Sequence, residues 1–584
     1  MSSETRVPTE QPTDVVSFKL LIEGSELSAT HQVRGVLIER EINRIPYARI
    51  TIEDHQPAAD EPRPADDEAF IPGKTLEIRA GYHGEETALF TGVLLSQRLK
   101  VRPAGGPRIV LEAQHDLFAT TLEPRSRFFA ELTDSDVIDQ IASEYGLRTD
   151  LAETSVEHPQ MLQHGVSDWD FIISRLDANG QVAAVRDGAF TTFEPSLDAD
   201  PALTLTYGAS ILELDAELEA REEFASALAV SWSPDDQEIV EVEGTDPELP
   251  QQGDVEPGEL SEVGGQSRML RQLGQAREDE LEAWANADLL RDRLAKIRGR
   301  SRCQGYGEIE PGDVLELKDV SKRFDGKAFV SGVRHEISRG NWTSDIEFGL
   351  EPEWFLQRVG LGAAGAAAEP ALLPPIGGLY IGVAKGLEDP EGAGRIEVHL
   401  PTVHEQGESL WARLATLDAG ENRGTVFRPE IDDEVVVGFL ADDPRHPVVL
   451  GMLHSSAKPP PIEGSDDNHV KGLTTRSEMK VEFDDENKVM TLQTPAGNKI
   501  ALDEQNGGIF LEDENGNTIT LDSSGITLDT PKDITLKAAS NITIEASANL
   551  EATAGARFTA EGSAGAEVTT GATAVLKGAL VQIN

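Results

Sequence analysis

The chain has 584 residues, with 104 acidic against 51 basic side chains and a formal net charge of −53. A length of that order divides into several domains. So large an acidic excess argues against nucleic-acid binding, which draws its affinity from basic surface, and against spontaneous adhesion to anionic membranes. The single cysteine, Cys303, excludes an internal disulfide framework and a multi-cysteine metal site, and no apolar run reaches the roughly 18 residues of a membrane-spanning helix.

Residues 1–13 are polar, with two prolines, and read as a disordered lead. The N-terminus has no basic stretch followed by an apolar one, so the expectation is a protein made in the cytoplasm without a signal peptide. Over residues 14–120, apolar and polar side chains alternate in Val16–Ile22, Val33–Ile42, Tyr47–Ile52, Thr75–Tyr82, Ala88–Leu95 and Arg108–Ala113. A charged, Pro-rich loop, Gln56–Glu68, separates the third from the fourth. Six strands at this spacing predict a first β-barrel or sandwich.

Residues 121–210 mix helix with strand. Ser135–Tyr145 reads as a capped helix stopped by Gly146. A second helix follows Ser167 as N-cap, with Asp168 and Asp170 in its first turn. Two close carboxylates could form a catalytic pair, but acids in a first turn ordinarily serve the helix dipole, and that reading is preferred.

Residues 211–356 predict a second β-barrel carrying two additions. Residues 233–266 are acidic, with four prolines, and read as a flexible insertion. Residues 268–298 read as a helix through Leu281, Trp284, Leu289, Leu290 and Leu294. Residues 357–375, rich in Ala, Gly and Pro, form a linker. Residues 376–455 hold five short strands, the size of an OB-type barrel. An OB barrel that grips single-stranded nucleic acid uses basic and aromatic side chains; this one has a single tryptophan and many acids.

After a connector at 456–480, the stretch 481–584 is periodic. From Ile526 an apolar or small residue recurs every eight positions, at Ile534, Ile542, Leu550, Phe558, Ala566 and Ala574. Another follows two residues after each, from Leu528 to Leu576. Each octad reads as a short strand and a turn. One strand per octad makes one wall with its apolar side bare; three copies winding about an axis would close a prism and remove the free edges. An antiparallel meander of regular hairpins is the competing reading. The fold class expected is therefore mainly β: two barrels with a few helices, an OB-type barrel, and a C-terminal intertwined triple-stranded β-helix made by a trimer.

In this order the parts resemble the VgrG-type spike proteins of contractile injection systems, and the fused hub and cell-puncturing spike of contractile-tailed phages. The resemblance rests on Asp168-Trp-Asp-Phe-Ile, Pro311-Gly-Asp-Val-Leu, Phe329–His335, Trp342–Leu350, Asp433–Phe439, Asp443–Gly451 and the octads. It implies a homotrimer whose hub barrels adapt a hexameric inner tube to a threefold needle, with the OB barrel as neck. It also implies baseplate partners, a PAAR-type tip protein docked on Leu580, Val581, Gln582, Ile583 and Asn584, effector cargo, and contact with the target membrane on firing. Between neck and shaft there is no room for a lysozyme-like domain, and no effector follows Asn584, so no catalytic residues, no cofactor and no enzymatic activity are expected. Some spikes of the family hold a tip metal through a His-x-His pair, whereas no histidine follows His469 here. His335, His399, His404 and His446 lack ligand spacing, so no metal is expected. A short, extension-free spike fits an extracellular phage-tail-like particle at least as well as a type VI or phage spike proper. A trimeric tailspike-like polysaccharide depolymerase is the alternative of another class; the octad turns offer mostly Thr, Ala and Gly rather than carboxylates.

Overall fold

The computed structural model describes residues 15–55, 63–103, 105–360, 372–403 and 408–583, in two compact units divided between His454 and Ser455. The expected lead at 1–13, most of the linker at 357–375, His404 and Asn584 lie outside the described residues.

The first unit is built on a 13-stranded sheet. All six N-terminal strands read from alternation are present. Their inward positions, among them Val36, Ile38, Ile50, Ile52, Ile78 and Leu111, share one core. Strands Leu203–Thr206, Val314–Lys318, Gly326–Ser338 and Asn341–Phe348 enclose a second core around Leu205, Leu315, Val330 and Phe348. The two expected barrels have separate cores, but their strands belong to one sheet. The cause is the 13-residue strand Gly326–Ser338. Before a bulge at Val330/Gly332 it pairs with Val314–Lys318, and beyond it, from Gly332 to Ser338, with Val33–Glu41.

Helix α1 (Asp134–Glu144) starts one residue before Ser135. Thr133 caps it, accepting from the Asp136 amide at 3.2 Å while the Asp136 carboxylate accepts from the Thr133 amide at 3.1 Å. Gly146, at φ +65°, ends it as expected. Helix α2 (Asp168–Ala178) is capped by Ser167, whose hydroxyl accepts from the Asp170 amide at 3.1 Å.

Two expectations are corrected between residues 224 and 295. The acidic stretch 233–266 is not a flexible insertion: it contains the strand Glu238–Glu243 and helix α3 (Pro257–Gly264). The helix read from residue 268 begins at Glu278 and runs to Ala295 as α4, because Gly265–Arg271 is a strand. Low average hydropathy concealed a period-2 pattern. Val240 and Val242 face α4, where Trp284 is fully buried. The surrounding carboxylates are paired: Arg293 with Glu223 and Asp246, and Arg268 with Asp288 and Asp292. Helix α5 (Phe355–Arg358) follows. The neck is a closed five-stranded barrel, as expected, filled by Ala384, Ile396, Val398, Val435, Val437 and Val449.

In the second unit, seven strands from Val470 to Asp529 form an antiparallel meander within the chain. The sheet therefore begins inside the expected connector, and its first part is the hairpin arrangement that the octad period argued against. After Asp529 the described residues form no strand pair. The backbone instead bends at 531–532, 539–540, 547–548, 555–556, 563–564, 571–572 and 579–580, once every eight residues.

Candidate functional site

The meander repeats every 19 residues, a period the octad pattern hid. Asp484, Asp503 and Asp522 open the turns along one side, and Thr475, Thr494 and Asp513 those along the other. Each of the first three carboxylates accepts backbone amides of its own turn, from Asn487, Asn506 and Ser524 respectively. Hydrogen bonds from those residues hold all three carboxyls below their ordinary range. Turns fixed this way set the register of the strands between them.

That register aligns the side chains into rows. Leu473, Val481, Leu492, Ile500, Leu511, Ile519 and Leu528 stand opposite one another across all seven strands. Two residues along, Phe483, Met490, Leu502, Ile509, Leu521 and Ile526 form a second row, with Lys471 at its end. Both rows share one face, since side chains two apart on a strand point the same way. The row between them, on the other face, carries Glu482, Thr491, Thr520 and Thr527 beside Ala501 and Phe510. In the single chain the apolar face is uncovered: Ile500 is 42% exposed and Leu502 46%. An apolar face of this extent marks a surface that binds.

The rows run directly into the octads, for Ile526 and Leu528 on the last strand are also the first octad pair. Beyond them Ile534, Ile542, Leu550 and Phe558 are each more than half exposed. Backbone groups that find no strand partner among the described residues are left open to pairing with other strands. Of the expected tip residues, Leu580 is 84% exposed, Val581 48% and Ile583 82%; Gln582 is exposed as well.

The remaining residues singled out in the sequence have structural partners. Asp168 is fully buried, accepting from Arg127 and from the Tyr145 hydroxyl at 2.6 Å and from Gln163 at 2.9 Å. Asp170 completes the α2 cap, accepting from the Ser167 hydroxyl at 2.8 Å. The two acids have separate partners, Asp168 in the interior and Asp170 at the helix cap. His335 is buried against Ser344 at 2.8 Å and Trp342, and burial lowers its pKa to about 3. His399 meets the Glu408 carbonyl, and His446 lies 3.8 Å from Asp443. Among the described residues no three His, Cys, Asp or Glu side chains are arranged to hold a metal ion, and no helix is long and apolar enough to cross a membrane.

Sequence reasoning missed a buried polar clasp between neck and hub. Arg445 of the neck barrel pairs with Asp443 at 2.8 Å and with Glu280 of α4. Gln272 and Gln160 add hydrogen bonds, the latter to the Arg445 carbonyl at 2.9 Å. Glu280 in turn lies 4.0 Å from Arg175, which bonds Asp134 beside His158. Burial opposes ionisation of Asp443, but Arg445 and His446 hold its carboxyl far below the usual range. The available signal was Arg175 itself, the single basic residue on a helix whose Trp169, Phe171, Ile172, Ile173 and Leu176 are all buried.

Comparison with known proteins bears on the same regions. The family model for the Alg8 N-terminal domain matches residues 12–339. The type VI secretion system/phage-baseplate injector OB domain matches 380–454, and the phage baseplate V C-terminal trimerisation domain 489–584. Type VI secretion system spike protein VgrG1b of Pseudomonas aeruginosa is 26% identical over 213 residues, 35% of this chain and 28% of the relative. VgrG3 of Vibrio cholerae is 28% identical over 120 residues, 19% of this chain and 12% of the relative. The chain thus spans less than a third of the length of the curated relatives it matches. Among solved structures, the half-lidded Francisella PdpA-VgrG complex aligns with 88% of this chain and 88% of its own, at 9% identity and a TM-score of 0.51, a likeness of fold. With a family model over more than half its length and spike relatives for its partners in comparison, the chain belongs to the Alg8 N-terminal domain family and is a VgrG-type spike protein.

Proposed function

We propose that this spike works as a homotrimer without catalytic activity, its hub adapting an inner tube to a threefold needle and its octads forming the needle shaft. The carrying observation is the pair of unbroken apolar rows on the meander, continued by octads that have no strand partner among the described residues. Three copies, each contributing one wall, cover those rows and satisfy the backbone at once. In this reading Leu580, Val581, Gln582, Ile583 and Asn584 seat a PAAR-type tip protein, and effectors travel on the tip. The hub meets baseplate proteins, and the trimer, made in the cytoplasm, acts within an assembled particle, released or cell-bound, whose firing drives the needle through a target membrane. The absence of catalysis is supported by the engagement of Asp168 with Arg127 and Tyr145 and of Asp170 with its helix cap.

Light scattering on the full chain beside one ending at Pro460 tests the proposal. A threefold mass that is lost on truncation is the expected result. A stable full-length monomer overturns the homotrimer, and polysaccharide cleavage by the purified chain overturns its non-enzymatic character.

A further inference from the structure

Three strands, Phe224–Ser233, Glu238–Glu243 and Gly265–Arg271, form a small sheet separate from the 13-stranded one. Its inner face packs Ala227, Ala229 and Leu270 against Leu281, Trp284 and Ala285 of α4. The alternate positions face away from α4. Register sets Trp232 opposite Ile239, Leu228 between Met269 and Glu243, and Val230 between Glu241 and Arg271. The outer face is therefore an apolar strip along the central strand, widened by Ile239 and Met269 and bordered by Glu241 and Glu243 on one flank and by Arg271 on the other. Trp232 is 45% exposed, Ile239 60% and Met269 44%; Leu273, just past the third strand, is 60% exposed. Large apolar side chains gathered on a rigid sheet mark a binding surface, and tryptophan and methionine are enriched where proteins meet.

Charge indicates what the face takes. From Phe224 to Gly274 the chain carries eleven acids and two arginines, and Arg268 is committed to Glu222, Asp288 and Asp292. A second copy meeting this face with the same face would bring the same acids to the contact, any other approach would still bring a body of net charge −53, and an anionic lipid surface would be repelled likewise. We propose that this sheet docks a different protein, through a segment that presents apolar side chains bordered by lysine or arginine. The apolar groups cover Trp232, Ile239 and Met269, while the cations meet Glu241 and Glu243. The backing helix α4 makes the platform rigid. It also carries Glu280, the hub's side of the clasp to the neck, so a partner seated here grips the element that holds neck to hub.

The test uses the full-length chain and a synthetic peptide in which valine and lysine alternate, with a scrambled peptide of the same composition as control. Binding is measured by titration calorimetry at low and physiological salt. Combining Trp232→Ala with Ile239→Ala is expected to weaken the alternating peptide by about tenfold or more. The weak, salt-sensitive attraction of the scrambled peptide should not change. Glu241→Gln with Glu243→Gln is expected to remove most of the salt dependence of the alternating peptide while leaving its apolar contribution. Equal binding of the two peptides overturns the proposal, as does undiminished binding by the Trp232/Ile239 variant. A fall in the solution mass of that variant also overturns it, since the face would then be a contact between copies; the homotrimer itself would stand.

Discussion

Arg445 and Glu280 stand 165 positions apart in the chain, yet their side chains meet in a buried contact. With Asp443 and Gln272 also engaged, removing the guanidinium strands two buried carboxylates. Arg445→Met is expected to cost about 3–5 kcal/mol, and Arg445→Lys to recover little of it, because an ammonium cannot serve both carboxylates in the plane of the fork. Denaturant unfolding followed by tryptophan emission measures the loss. The clasp was illegible because pairing at such separation leaves no local pattern. Ser167 and Gly146 were legible because a cap and a stop act within one turn. A second residue-scale consequence concerns pH. Burial raises the Glu223 carboxyl from its ordinary 4.5 to about 7, against the pull of Arg293 and Lys296. Burial raises Asp288 and Asp292 as well. Between 4.5 and 7 the folded chain keeps a proton on Glu223 that the unfolded chain releases. The corresponding stability is thus fully present below that window and lost as pH rises through it. Glu223→Gln is expected to raise the melting temperature of the hub at about pH 8 and to change it far less at about pH 5. An equal effect at both would refute the assignment.

At the scale of elements, alternation was enough to place the strands of the hub and the neck barrel. It failed on Gly265–Arg271, read from residue 268 onward as helix because the strong apolar positions of α4 lie immediately downstream. It failed too on the acidic stretch, where composition outweighed the phase of Val240 and Val242. The shaft was read from one period when it has two: 19 residues while the chain pairs with itself, then eight once it does not. The difference has a direct test. Ile500→Asp places a charge in an apolar row and is expected to lower the solution mass. Thr491→Asp, on the opposite face of the neighbouring strand, is expected to leave it unchanged. Light scattering distinguishes them, and equal behaviour would dissociate the rows from assembly.

For the whole molecule, the order of parts was visible in the sequence, while the joining of the hub strands was not. One long strand bulging at Val330/Gly332 serves two sheet halves, and no pattern within a strand announces which neighbours it will have. The octads allow the opposite inference, from global regularity to tolerance. Deleting residues 534–541, one whole octad, keeps every later bend in phase and is expected to leave the shaft's thermal transition nearly unchanged. Deleting 534–537 puts the later apolar positions half a period out and is expected to melt the shaft early. Circular dichroism on heating reads both, and equal tolerance would show that the period carries no structural information.

The regular bends also bear on the moments between synthesis and assembly. Residues 530–584 contain five acids and four bases, so they are close to neutral, while the −53 of the chain is carried almost wholly by the rest. A neutral segment rich in Thr and Ala, with bare strand edges, has the makings of an aggregate whenever copies are concentrated but unassembled. The tether to a strongly charged hub keeps such segments apart at long range, through mutual repulsion of the bodies they hang from. On the proposed trimer, the acidity of the hub would serve the needle: it would slow wrong encounters between unfinished copies, leaving productive winding time to finish.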